Sequence, residues 1–370
     1  MQIIEVVEKK DLKKFVEFPY ELYRDHPIWV PPLKIMANRE FDREKNGFFE
    51  HADAVFFMVT DGDRVLGRIA AFLNLNYMKY YNDKVGFFGS FESVDDQEVA
   101  RLLVNSACDW LKEKGMRFIR GPYNFTSQST GCLIEGFDQA QICLSPYNYP
   151  YYDSLLQGTG LEKIRDLNAY YGDSLEQYKF PERFTRYADR LMERYGVTVR
   201  TVRTQRLRED VLDIIRVGNQ ASSGNWGFVP VDEAEVDELV RSFEPVMDPD
   251  AVFLMYKEGE PIGYAIALPD INRIIKKLNG RLLPFGIFRL KFGVKKLREY
   301  RLFGLGLVPK YQSKALDTLL YYSIFKSLIK KQARLEANWV LESNHKMNHA
   351  LIKLQMRLTK RYRLYQKPLA

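Results

Sequence analysis

At 370 residues the chain is longer than one ordinary core spans, and its make-up, 46% hydrophobic, 28% charged and 14% aromatic, excludes a disordered or collagen-like protein. The net charge is a modest +7, and three cysteines without CxxC spacing (Cys108, Cys132, Cys143) exclude a disulfide framework and a cysteine-type zinc site. No apolar run approaches a bilayer span, and MQIIEVVEKK has no cationic region followed by an apolar core, so a soluble cytoplasmic protein is expected.

In chain order, a strand at Ile3–Val7 and a helix to about Tyr23 lead to two alternating apolar runs, Val55–Thr60 and Val65–Leu73. Asp61-Gly62-Asp63 between them predicts a hairpin. A strand over Val85–Phe91 then enters a helix through Asp95, paired with Glu98 as a capping box. That helix ends at Gly115 and carries Val99, Leu102, Leu103, Ala107, Trp110 and Leu111 on one stripe. A strand follows at Arg117–Arg120.

The second half repeats that order: strand Val197–Arg203, helix Glu209–Gln220, runs Val252–Tyr256 and Ile262–Ala267 about a Gly259 turn, strand Leu302–Val308, helix Ala315–Gln332, strand Ala337–Leu341 and a final helix from about Lys346. Corresponding landmarks lie 194 (Ile3 to Val197), 197 (Gly62 to Gly259) and 196 (Gly67 to Gly263) residues apart, so the halves stay nearly in register. A duplicated α+β unit is the economical explanation. With Gly172 and Pro181 punctuating a polar stretch, the units are expected at 1–175 and 176–370.

Leu302 to Leu320 reads LFGLGLVPKYQSKALDTLL, a strand, a short turn and an amphipathic helix. It resembles the core motif of the GNAT (acyl-CoA N-acyltransferase) superfamily, an Arg/Gln-x-x-Gly-x-Gly/Ala loop opening a helix. The resemblance implies acyl-CoA or acetyl-CoA as co-substrate, its pyrophosphate facing loop amides and the positive end of the helix dipole. It carries the cofactor role onto Leu307, Val308, Gln312, Ser313, Lys314, Ala315 and Leu316, with Ala315 at the usual glycine and Asp317 at the final glycine or alanine. The next segment, ANWVLESNHKMNHALIKL, resembles the superfamily's following strand and helix. Asn344 fits the asparagine that starts that helix, and Leu351 stands where a tyrosine often protonates the departing thiolate.

In the first half, RGPYNF, GFD and YNYPYY, together with the C-terminal KRYRLYQKPL, resemble a bacterial family of tandem GNAT-like proteins of about this length and poorly defined function. The implied fold is two tandem GNAT-like α+β domains, each a mostly antiparallel mixed sheet flanked by helices, with neighbouring strands of the second splaying near Leu305–Val308 and Ala337–Leu341. The first-half counterpart of the phosphate loop, Glu92-Ser93-Val94-Asp95-Asp96, is acidic and lacks glycine, so that copy is not expected to bind CoA.

Acyl transfer to an amine needs a base, an oxyanion donor and an acid for the thiolate. Glu342 is a candidate base, beside Asn344; a solvated helix-start carboxylate is its alternative reading. Asn124, Thr126, Ser127 and Ser129 form a candidate acceptor loop, or a set of turn-stabilising residues. Tyr147, Tyr151 and Tyr152 are candidate pocket walls, or packing residues; Trp226, on the Gly-rich SGNWGFVP loop, is a candidate lid or a core staple. Cys132 as nucleophile and His345 with His349 as a metal pair lack supporting partners, so no metal is expected.

The positive charge is uneven. Asn272 to Arg301 holds ten bases against Glu299, interleaved with Leu and Phe, a composition suited to an anionic membrane surface or to a solvated insertion. The expected function is acyl transfer from acyl-CoA, or an acyl carrier protein, to the amine of a small or lipid-like acceptor, with peripheral contact at the inner membrane face; a long-chain donor with an amphiphilic amine such as a sphingoid base would fit the aromatic richness and the basic insertion, but the sequence does not select it. Two alternatives are a non-catalytic ligand- or partner-binding protein on the same fold and an aminoacyl-tRNA-dependent peptidoglycan transferase. The absence of a helical-hairpin arm disfavours the latter, and nucleic acid is not an expected partner.

Overall fold

The structure, a computed structural model, describes residues 1–125, 130–177, 180, 182–282 and 286–369. The first half holds β1 (Gln2–Glu5), α1 (Lys9–Leu22), α2 (Lys34–Glu40), β2 (Ala52–Asp61), β3 (Arg64–Asn74), α3 (Leu75–Tyr81), β4 (Val85–Ser93), α4 (Gln97–Glu113), β5 (Phe118–Gly121), β6 (Cys132–Glu135), α5 (Tyr152–Gln157) and β7 (Glu162–Asp173). The second holds α6 (Glu182–Tyr195), β8 (Val197–Thr201), α7 (Leu207–Ala221), α8 (Val236–Phe243), β9 (Val252–Lys257), β10 (Glu260–Pro269), α9 (Asn272–Ile275), α10 (Gly286–Gly293), β11 (Glu299–Leu307), α11 (Asp317–Lys330), β12 (Arg334–Leu341), α12 (His345–Lys353) and β13 (Arg357–Pro368).

Contacts divide the chain into two units: Met1–Asn168 with Ile275–Gly286 and Thr359–Ala370, and Ala169–Ile274 with Ile287–Leu358. In the first unit β1, β2, β3 and β4 pair antiparallel in succession, β4 pairs parallel with β5, and β13 pairs antiparallel with β5 and β6. In the second, β8, β9, β10 and β11 pair antiparallel and β11 pairs parallel with β12. This is the expected mixed, mostly antiparallel α+β architecture, formed twice.

The recurring glycines have physical work to do. Gly62 and Gly259 turn their hairpins with φ of +58° and +85°, a conformation costly for any residue with a Cβ. Gly67 on β3 and Gly263 on β10 lie under the helices of their units. A Cβ on Gly67 would sit 2.8 Å from side-chain atoms of Val99 and Leu103, and one on Gly263 would press on Leu307 and Leu320. Each helix buries an apolar stripe there: Val99, Leu103, Ala107 and Leu111 on α4, and Leu319, Leu320, Ile324 and Leu328 on α11.

Two local expectations are corrected. The cap of α4 is Asp96, whose carboxylate accepts from the amides of Glu98 and Val99, not Asp95. The helix after β12 stops at Lys353, and Arg357–Pro368 is a strand. Its alternation of buried Lys360, Tyr362 and Leu364 with half-buried Thr359, Arg361 and Arg363 is a period of two hidden by the density of charge.

In the second unit the β8–α7 junction is fixed by buried Asp210. Its carboxylate accepts from Arg200 at 2.8 Å on both oxygens, and from the Arg203 side chain and amide at 2.7 Å each. Burial pushes this acid upward, but the two arginines and the amide outweigh it and hold its pKa down to about 2. Asp210→Asn should cost about 2 kcal/mol in urea unfolding at neutral pH, the scale of a lost charge-assisted hydrogen bond. Because the folded pKa is depressed, that advantage should be complete above the unfolded value of about 3.9 and fade as pH falls through about 2. An unchanged midpoint at pH 7 would contradict the assignment.

Candidate active site

The loop that resembles the cofactor motif joins β11 to α11. It leaves the sheet at Val308, whose amide donates to Ile262 O at 2.9 Å, and turns through a short 3₁₀ segment at Pro309–Tyr311. The Gln312 side chain donates back to Leu307 O at 2.9 Å, tying the loop to the strand end. Ser313 and Ala315 then take φ of +62° and +58°. Ala315 stands at the motif's usual glycine, so the glycine-type backbone is kept although the glycine is not.

The turn leaves the amides of Ser313, Lys314, Ala315, Leu316 and Asp317 without an acceptor among the described residues, and no side chain caps α11. Ser313, Lys314 and Ala315 are exposed and Leu316 is wholly buried, so the unpaired amides run from an exposed turn into the positive end of a 14-residue helix. The Lys314 and Lys310 ammoniums lie 5.4 and 5.7 Å from the Tyr311 ring centre, adding two cations. Clustered amides, a helix dipole and lysines are donors that fit a pyrophosphate. Asp317 occupies the first helical position, where its carboxylate favours the dipole.

The parallel pair β11·β12 holds only from Glu299–Leu302 to Arg334–Ala337; beyond that no ladder pairing joins the two strands among the described residues. The expected parting is therefore present. Past Leu302, β11 keeps β10 as neighbour on one side and offers backbone groups on the other. Where the strands part lies a buried polar chain that residue-type reasoning missed: Arg301 Nε donates to Asn338 Oδ1 at 2.5 Å, and Asn338 Nδ2 donates to Glu336 Oε1 at 2.7 Å. The Arg301 guanidinium stacks over Trp339 at 4.6 Å and Phe303 at 5.3 Å, and the Asn338–Trp339 peptide is cis. The one available clue was the polar pair Glu336 and Asn338 inside an otherwise apolar strand.

Glu342 is half-buried in the turn just after β12. Asn344 caps α12, accepting from the Met347 amide at 3.1 Å, and Asn348 donates to Leu341 O and Asn344 O while accepting from Tyr170 at 2.7 Å. Leu351 is wholly buried in the second unit's core. Trp226 is half-buried in a loop whose far end is clamped by Asn219, which bonds both backbone groups of Val231 at 2.9 and 3.0 Å.

The first unit places its candidates differently. Thr126, Ser127 and Ser129 lie outside the described residues, and Asn124 is half-buried. The tyrosine hydroxyls are bonded within the unit: Tyr152 donates to Glu92 at 2.7 Å, Tyr151 to Ser93 O at 2.8 Å and Tyr147 to Phe137 O at 3.2 Å. Burial pushes the Glu92 carboxyl up, against the pull of Arg68 and of the Tyr23 and Tyr152 hydroxyls. Cys132 is buried and its thiol is pushed up chiefly by desolvation, the opposite of an activated nucleophile. His345 and His349 are exposed, and among the described residues no group of three or more His, Cys, Asp or Glu could hold a metal ion.

The first unit's copy of the motif is closed by its own chain. Asp96 occupies the α4 amides, and the backbone after β5 fills the gap beside β4: Tyr123 N donates to Phe88 O at 2.8 Å, and a Cβ on Gly89 would lie 1.6 Å from Tyr123 O.

Two units of this kind define a tandem GNAT fold. Solved structures agree: a tandem GNAT protein from the clavulanic acid biosynthesis pathway superposes with a TM-score of 0.59 at 11% identity, covering 100% of this chain and 98% of its own. A GCN5-related N-acetyltransferase from Sphaerobacter thermophilus does so with a TM-score of 0.54 at 13% identity, covering 99% and 96%. No family profile matches the chain. It belongs to the bacterial family of tandem GNAT-like proteins that contains YghO of Escherichia coli K12, 31% identical over 98% of this chain and 94% of that protein, and a Caulobacter vibrioides protein named bacterial ceramide synthase, 31% identical over 100% and 98%.

Three substitutions test the loop. Lys314→Glu should weaken CoA binding by about 1–3 kcal/mol in calorimetry, the loss of a charge-assisted contact. Ala315→Gly should preserve binding and stabilise the fold by about 1 kcal/mol, the cost of holding a Cβ in the left-handed region. Asp317→Gly, restoring the common motif, should bind as well or better; loss of binding in a folded Asp317→Gly protein would place the pyrophosphate elsewhere.

Proposed function

We propose that this protein is an N-acyltransferase that moves an acyl group from acyl-CoA, or from an acyl carrier protein, to the amine of a lipid-like acceptor. The run of unpaired amides from Ser313 to Asp317, on a backbone that keeps the glycine conformation at Ala315, is the observation that carries the reading. It supports a phosphate-bearing thioester at the head of α11. The parting of β11 and β12 supports room for an extended arm to pair with the free edge of β11, as an added strand would. A family member named for ceramide synthesis supports a long-chain amino alcohol as acceptor, since a ceramide is the N-acyl derivative of such a base.

In this reaction the neutral amine attacks the thioester carbonyl, the C–S bond breaks and the nitrogen loses a proton. Glu342, half-buried at the end of β12, is the carboxylate this reading assigns to accept that proton, directly or through water. Leu351 leaves the usual acid's place apolar. A cysteine thiol ionises at a pKa of about 8.5, and thiols as a class are far more acidic than alcohols, so a thiolate is a tolerable leaving group without a dedicated proton donor.

The full chain incubated with long-chain acyl-CoA and sphinganine should yield the N-acyl product by mass spectrometry, with matching release of free thiol. Lys314→Glu should lower kcat/KM roughly tenfold or more. Thiol release without amide product, or neither product across long-chain amines with both CoA and carrier-protein donors, would refute the assignment.

The reading includes contact with anionic membrane through the insertion between β10 and β11. Ile287, Phe288 and Phe292 are exposed at 47%, 59% and 66%, among exposed Arg289, Lys291, Lys295 and Lys296. Leu283, Pro284 and Phe285 of that insertion lie outside the described residues. No described helix is long and apolar enough to cross a membrane. Co-sedimentation with vesicles should increase with anionic lipid, weaken with salt and fall in a Phe288→Asp/Phe292→Asp protein; equal binding to neutral vesicles would count against it.

A further inference from the structure

The first unit holds a cavity of about 430 Å³ that the transfer reaction does not use. Its lining includes the cations Arg24, Lys34, Lys276 and Arg281 and no carboxylate. The side chains of Arg24 and Arg281 make no hydrogen bond or ion pair with another described residue; only their backbone amides are bonded, to Glu21 O and Leu278 O. Lys34 faces Glu17 at 3.7 Å in an exposed pair that contributes little, and Lys276 donates to Pro27 O. Four positive groups converging on one concave space are a standing cost unless something negative enters it.

Aromatic side chains line the cavity beside this charge. The Tyr23 and Trp29 rings stack at 5.0 Å and 20°, and Tyr20 meets Trp29 edge-on at 5.7 Å. The hydroxyls are turned to other work: Tyr20 donates to Pro32 O at 2.8 Å and Tyr23 to Glu92 at 2.7 Å. The cavity is therefore bordered by ring carbons, not hydroxyls, on that side, with the Lys34 ammonium 5.1 Å from the Tyr20 ring centre and the Tyr23 faces stacked by Trp29 and Tyr149. A dedicated turn supplies the rest. Asn279 and Gly280 take φ of +44° and +76°, Gly280 O accepts the Lys34 amide at 2.9 Å, and a Cβ on Gly280 would lie 3.2 Å from the Tyr20 ring. That turn seats the segment bearing Lys276 and Arg281 against α1 and α2, all within one unit.

We infer that this cavity is a binding site for a phosphate monoester group joined to an apolar or planar part. A phosphate monoester carries about −1.5 to −2 charges near pH 7 and three acceptor oxygens, which matches several converging cations better than a single carboxylate does. The volume leaves room for a glycerol- or ribose-sized neighbour against Tyr20 and Trp29. The site is independent of the acyl-transfer reading, and its ligand comes either from solution or from a lipid headgroup.

The test uses the full chain and three probes: inorganic phosphate, soluble dihexanoyl phosphatidic acid, and phosphatidylcholine vesicles with or without phosphatidic acid. Arg24→Glu/Arg281→Glu, in exposed side chains, should lower affinity roughly tenfold or more, while Lys13→Glu on α1 should not. Calorimetric binding of the soluble ester, competed by inorganic phosphate and lost in the double variant, assigns the site to a dissolved phosphate. Binding only to vesicles containing phosphatidic acid, equally lost in the double variant, assigns it to a headgroup. No binding to any probe, or binding undiminished by the double charge reversal, overturns the inference whether or not the protein transfers acyl groups.

Discussion

The chemistry available to the second unit depends on a parallel strand pair that stops pairing. While β11 and β12 run together, from Glu299 and Arg334 to Leu302 and Ala337, every backbone group between them is used. Once they part, β11 has an unused edge and the loop beyond it can turn outward at the head of α11. Both the unpaired loop amides and the unpaired edge of β11 lie beyond that one separation. Buried backbone groups without partners are costly, so the arrangement is most readily sustained where solvent or a ligand satisfies them.

The same separation in the first unit has the opposite outcome. There β4 and β5 pair over Val85–Phe87 and Phe118–Arg120, and the chain turns back to place Tyr123 against Gly89 and Phe88. Asp96 then occupies the helix amides that an anion would need. The same local arrangement leaves unpaired amides in one copy and is packed by its own chain in the other. The first unit's cationic cavity lies on other elements, α1, α2 and the returning Asn279–Gly280 turn, where no strand separation is required.

Buried charge recurs in both units, always with hydrogen-bond partners. Arg68 donates to Phe15 O at 2.7 Å and lies over the Phe15 and Phe41 rings; Arg301 is held by Asn338 and two aromatic faces; Asp210 is held by two arginines. Delocalised guanidinium suits such places, because its faces pack on rings while its edge donates. These groups are expensive to bury and fix side-chain positions around them.

Much of the fold was legible in the chain itself. The spacing from Gly62 to Gly259 and from Gly67 to Gly263 marks the repeat because each glycine answers a local demand, a left-handed turn or a helix pressed on the strand. The alternating runs of β2 and β3 and the stripe of α4 are likewise local periodicities. The loop at Gln312–Leu316 could be located by its resemblance to a known motif, but only tertiary structure shows that Ala315 keeps a glycine backbone, since φ is set by the loop's anchors at Leu307 and Ile262. The buried Arg301–Asn338–Glu336 chain depends on strand register, which no spacing along the chain reveals. Likewise β13 belongs with β5, more than two hundred residues earlier, and the turn at Asn279–Gly280 belongs with α1. Pairing and docking between distant segments are decided by which surfaces remain to be covered after the local elements form, and that balance exists only in the folded chain.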